Sequence, residues 1–181
     1  MSCARFLPAI PFIYWIGQTI SGECEMTIQE SLLDAFRRNW DIYKDLVKQT
    51  PEEHWRTGDV DYLIPARLVY HALEAADFYS SPTPKGFVAG HRFGVDWEAA
   101  TPEQLPTREQ TSEYLKETMK KVDGWLRGMS DSDLLSPQEE FRWTGKTVLG
   151  RAIYLLVHCR QHIGEINAEL RRRGLPRAKW R

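Results

Sequence analysis

The chain has 181 residues, 24 Lys and Arg against 25 Asp and Glu, and a formal net charge of −1. That length suits one ordinary domain with a real core. The near-even balance of interspersed charges argues against a nucleic-acid binder driven by phosphate neutralisation, so no nucleic-acid partner is expected.

An apolar run over 6–20 contains Pro8, Pro11 and Gly17. It is too short to cross a bilayer as a helix, and no small-x-small cleavage pattern follows it. Membrane attachment is therefore not expected. Cys3, Cys24 and Cys159 form no CxxC pair, which points to incidental thiols in a reducing cytoplasm. The expected natural start is Met26, with residues 1–25 an extension and residues 26–181 the folded domain.

A first helix is predicted over 27–49. Ile28, Leu32, Phe36, Trp40, Tyr43 and Val47 recur at helical spacing, and Thr27 with Glu30 forms a capping box. Thr50 before Pro51 ends it, and the Pro-Glu-Glu segment after it reads as a short extra turn with Pro51 at its first position. A second helix starts near Pro65, with Leu68, His71, Ala75 and Phe78 as its expected inward stripe, and it stops at the breakers Ser80 to Pro84. The stretch 85–106 carries Gly86, Gly90, Gly94, Pro102 and Pro106 and reads as a long connection, of the kind that covers a site.

A third helix opens at a second capping box, Thr107 with Gln110. Its apolar face is Leu115, Met119, Val122, Trp125, Leu126 and Met129, and 130–133 is read as its end. The last helix is predicted over 147–173, with Gly174 and Pro176 as stop signals. The basic residues Arg171, Arg172, Arg173, Arg177, Lys179 and Arg181 complement its C-terminal dipole; a polybasic contact is the alternative. No segment alternates with period two. The fold class is all-α, most simply a four-helix bundle.

His158 and His162 are four apart, so both imidazoles fall on one helical face with Leu155, Ile166 and Leu170. His71 falls on the inward stripe of the second helix. Two readings fit these residues. They are hydrogen-bonded core histidines, or they are ligands of one divalent ion held between facing helices. Three neutral imidazoles suit zinc, nickel, copper or iron, and three protein ligands leave coordination positions free.

The segments LVYHALEAADFY and VHCRQHIGEINAELRRRG, the long connection and the capped third helix resemble the DinB (damage-inducible) superfamily over about 27–175. The resemblance implies an up-down-down-up four-helix bundle, often dimeric. It implies His71, His158 and His162 as metal ligands, with zinc or nickel the expected ion. Relatives include S-transferases and isomerases that use low-molecular-weight thiols, and others are described as metal-dependent hydrolases. The expected function is therefore a metal-dependent thiol S-transferase, with a hydrolase or a non-enzymatic metal-binding stress-response protein as alternatives.

Glu165 stands where the family often has Gln. A polar contact with a neighbouring helix is its simpler reading, and support of a metal ligand the other. Arg92, Arg142 and Arg160 are expected to bind substrate carboxylates on charge alone. His91 is a further candidate for the site, though an exposed position is the simpler expectation. Trp40, Trp97, Trp125 and Trp143 are expected in the core, with Trp97 and Trp143 also candidate pocket walls. Cys159, about 100° around the helix from His158, reads as core rather than nucleophile. The His-Cys-Arg-Gln-His segment lacks the Glu of a metalloprotease helix. Gly145-Lys146-Thr147 is read as the start of the last helix rather than as the end of a phosphate loop.

Overall fold

Two capping boxes set where long helices begin in the computed structural model, which describes residues 26–181. Thr27 accepts from the Glu30 amide at the start of α1 (Ile28–Gln49), and Thr107 accepts from the Gln110 amide at the start of α4 (Arg108–Arg127). Between them lie α2 (Glu52–Trp55) and α3 (Pro65–Tyr79). After them come α5 (Asp131–Leu135) and α6 (Val148–Arg172). Short 3-10 turns occupy Asp61–Leu63 and Arg142–Thr144. The described residues contain no strand; a single bridge pairs Pro137 with Thr147. The expected extension over 1–25, with Cys3 and Cys24, lies outside the described residues.

The described residues form an all-helical fold. Each of the four long helices packs against two others: α1 and α3 both lie against α4 and α6. Phe36, Trp40, Tyr43 and Leu46 of α1, Leu68, Val69 and Leu73 of α3, Val122 and Leu126 of α4, and Leu155, Cys159, Ile163 and Ile166 of α6 fill the shared core. Cys159 is fully buried, as expected, and burial pushes its thiol up to about 12. No helix among the described residues is long and apolar enough to cross a membrane.

Residues 130–133 do more than end a helix. Ser130 caps α5 with Asp133 in a third capping box. The Asp131 carboxylate then accepts from the Ile28 and Gln29 amides at 3.1 Å, satisfying two orphan donors at the start of α1. The extra turn after α1 begins one residue later than expected, with Pro51 just before it, and it carries His54. Thr147 caps α6 through the Gly150 amide, so the Gly145-Lys146-Thr147 segment does start the last helix. At the other end Gly174, with φ +70°, ends α6. The Leu175 amide reaches Leu170 O and the Gly174 amide reaches Arg171 O, the pair of bonds a glycine stop requires.

Two packing expectations are corrected. Of the predicted stripe on α3, only Leu68 is fully buried; His71, Ala75 and Phe78 are half-buried. The helix is apolar on most sides, so periodicity alone did not single out its core face. Trp143 is 56% exposed rather than core, because its 3-10 turn sits at the rim, where its indole donates to the Tyr79 hydroxyl at 3.2 Å.

A row of polar-tipped side chains on α3 ties down the connection 80–107. Arg67, Tyr70, Glu74 and Asp77 are spaced three or four apart and share a face. Arg67, 2% exposed, donates to the carbonyls of Trp97, Glu98 and Ala100 and pairs with Asp61. Tyr70 donates to Val95 O at 2.8 Å. Glu74 accepts from the Gly90 amide at 2.5 Å. Asp77 accepts from Tyr114 at 3.0 Å and from Lys121, and meets His91 Nε2 at 3.1 Å. Gly90 is required: its φ is +78°, and a Cβ there would fall 2.6 Å from the Val95 carbonyl carbon.

Candidate metal centre

The one-turn spacing on α6 and the contact of α3 with α6 bring His71, His158 and His162 together. Their ring centroids form a nearly equilateral triangle with sides of 4.9, 4.7 and 4.5 Å. One ligand nitrogen from each lies within 4.8 Å of the other two. His162 is 2% exposed, and the other two are half-buried.

The protons indicate where lone pairs point. His162 Nδ1 lies 2.7 Å from Glu165 Oε2. A carboxylate accepts only, so Nδ1 carries a hydrogen, and Nε2 is the nitrogen of this ring left for any other partner. Nε2 of His162 and Nε2 of His158 are both buried without a hydrogen-bond partner. Burial, with neighbouring His162 and His158, pulls His71 down to about 3. Burial, with His162, pulls His158 down to about 4. Both rings are therefore neutral near pH 7, the state in which imidazole binds a metal.

A buried polar nitrogen without a partner costs about 1–3 kcal/mol. Two of them in one cluster with a third imidazole make a donor set that fits one divalent ion of the zinc or nickel kind, with about 2.0–2.1 Å from each nitrogen to a zinc ion. Glu165 was expected to touch a neighbouring helix. Its carboxylate instead touches His162 on its own helix, three residues back, and accepts from Gln161 Nε2 at 3.2 Å.

One side of the triangle faces a cleft of about 270 Å³. His71, Ala75 and Phe78 form its α3 wall, joined by His158 of α6. Trp97 and Phe87 reach over from the connection, and the Trp97 ring lies 3.8 Å from the His71 ring. Tyr79 and the carboxylate of Glu74 complete the lining. Burial raises the Glu74 carboxyl, an effect the Gly90 amide opposes.

The arginines chosen on charge point elsewhere. Arg92 makes a two-pronged pair with Glu117 on α4, at 3.0 and 2.8 Å, and borders a different cleft with Gln104 and Gln110. Arg142 is exposed and paired with Glu139. Arg160 lies over the Trp180 ring at 4.5 Å. His91 is exposed, as the simpler expectation had it, and bridges Val88 O and Asp77 rather than joining the triangle. Trp97 is a pocket wall as expected. The pinning role of Arg67 and the cleft residues Glu74, Tyr79 and Phe87 were not foreseen. The three- and four-residue spacing of Arg67, Tyr70, Glu74 and Asp77 is the available signal.

The fold and site define a helical protein with three converging imidazoles beside an aromatic cleft. Neither a scan against models of known protein families nor a search of curated proteins finds a match.

Proposed function

We propose that this protein is a DinB-like, divalent-metal-binding four-helix bundle of up-down-down-up topology, acting as a metal-dependent thiol S-transferase. The observation that carries the metal reading is the pair of buried, unpartnered Nε2 atoms of His158 and His162 within a cluster that brings one ligand nitrogen of each of the three histidines to within 4.8 Å of the others. His71, His158 and His162 hold the ion, and Glu165 fixes the tautomer and orientation of His162. When bound, a divalent ion there supplies Lewis acidity that favours the deprotonated form of a thiol.

The residues around the site have separable tasks. Neutral His71 and His158 offer lone pairs rather than protons. Trp97, packed on His71, keeps water from one side of that ring. The cleft against His71 and His158 leaves room for a second reactant, which favours chemistry over a purely structural ion.

Two measurements test this reading. Protein purified without a histidine tag should bind about one equivalent of zinc or nickel by calorimetry, and His162→Ala should abolish it. A panel of low-molecular-weight thiols and electrophiles should then show turnover that a chelator removes. Stoichiometric metal without any such turnover would leave a metal-binding protein that is not a thiol transferase.

A further inference from the structure

We infer that the cleft beside the three histidines takes the uncharged, one- or two-ring apolar body of a small molecule, and discriminates against a carboxylate on that body. The inference deepens the metal reading, on which it rests only for the direction in which the ligand's reactive atom points.

Size comes first. A cavity of about 150 Å³ can hold benzene, so an open cleft of about 270 Å³ has room for one or two rings. Wall chemistry comes second. Phe78, Phe87, Tyr79 and Trp97 are its aromatic lining, and the small Ala75 side chain leaves space along the α3 wall. Aromatic walls of this kind favour stacked and edge-to-face ring contacts.

Charge comes third. Among the described residues no Lys or Arg lines the cleft, and its one carboxylate is that of Glu74. In the metal-free protein a ligand carboxylate would enter without a cationic partner and beside Glu74, whereas a neutral ring meets no such cost. The three arginines expected to receive substrate acids are all engaged away from the cleft.

Naphthylmethanol and naphthoate carry the same rings and differ in charge, so their titration by ligand-observed NMR tests the inference directly. Chelator-treated protein is used, to keep any ion from attracting the acid. Naphthylmethanol should bind, and naphthoate about tenfold more weakly or not at all. Ala75→Phe, which adds a ring to the α3 wall, should weaken naphthylmethanol about tenfold. Phe87→Ala, which removes a wall, should weaken it as well. Both variants are to be checked for a wild-type melting transition, and the wild-type pair of probes decides the matter even if neither variant folds. Equal binding of the two probes, or no binding of either, would overturn the inference. Binding of naphthylmethanol to a protein that takes up no zinc would sustain it while removing the metal reading.

Discussion

Glu165 Oε2 lies 2.7 Å from Nδ1 of His162, three residues away on the same helix. The bond spans one helical turn, so it depends on no long-range packing. It fixes the ring of the most buried of the three histidines and leaves its Nε2 buried without a hydrogen-bond partner. A carboxylate in this position also makes the ring a stronger donor to a metal.

Loss of that carboxylate should weaken metal binding without unfolding the protein. Glu165→Gln retains an acceptor oxygen but not the charge, and should lower zinc affinity by about tenfold. Glu165→Ala should approach the upper end of the 10–100-fold range typical of such supporting contacts. Competition against a chromophoric chelator measures both. Wild-type affinity in Glu165→Ala would reduce the contact to a surface pairing.

The features readable from the sequence were those set by local rules. The capping boxes at Thr27 and Thr107 depend on side chains three residues apart, and both form as read. The pairing of His158 with His162 follows from the helical period, and Cys159 is core for the same reason. The features that escaped depend on distant partners. The Asp131 carboxylate meets α1 across about a hundred residues of chain, and nothing near Ser130 announces it. Charge chose Arg92, Arg142 and Arg160, but charge does not say where a side chain points. The arginine that matters for the site, Arg67, sits in an apolar helix and acts through backbone carbonyls.

Arg67→Lys should therefore not be a conservative change. The guanidinium serves the carbonyls of Asp61, Trp97, Glu98 and Ala100 and the Asp61 carboxylate at once, and a single ammonium cannot reproduce that fork. Carbonyls left buried and unpaired cost about 1–3 kcal/mol each. A total loss of roughly 2–4 kcal/mol is expected in chemical denaturation. Trp97 should also loosen from His71, so naphthylmethanol binding in the surviving folded fraction should fall. Stability within about 0.5 kcal/mol of wild type would rule out the pinning role.

Two glycines should respond to alanine with opposite signs. At Gly90 a Cβ meets the Val95 backbone at 2.6 Å in a left-handed conformation, and neither backbone segment can easily yield. Gly90→Ala should cost at least about 2 kcal/mol, roughly 4–8 °C in melting temperature for a domain of this size. Gly164 is an exposed position of α6, where a Cβ has no neighbour within 4 Å. Gly164→Ala should stabilise by about 0.5–1 kcal/mol. Differential scanning calorimetry of the two variants side by side reads both signs. A Gly90→Ala protein that melts with wild type would mean that the connection bends differently at that point.

The metal-free protein should lose stability as the pH falls from about 6.5 toward 5. In the unfolded chain a histidine titrates near 6.5, while in the folded state His71 is held at about 3 and His158 at about 4. Between those values the unfolded state binds the extra protons, so the free energy of unfolding decreases as pH decreases. The limiting slope is about 1.4 kcal/mol per pH unit for each histidine, and partial solvent access at both rings reduces it. The loss is complete only once the folded rings themselves protonate, below about pH 4, where ordinary carboxylates also titrate. The informative window therefore lies above pH 5. Urea denaturation of chelator-treated protein across that window should show the slope, and the double variant His71→Leu with His158→Leu should flatten it. A wild-type profile already flat from pH 7 to pH 5 would mean that these two rings are protonated as readily in the fold as out of it. Their lone pairs would then not be waiting, unprotonated, for an ion.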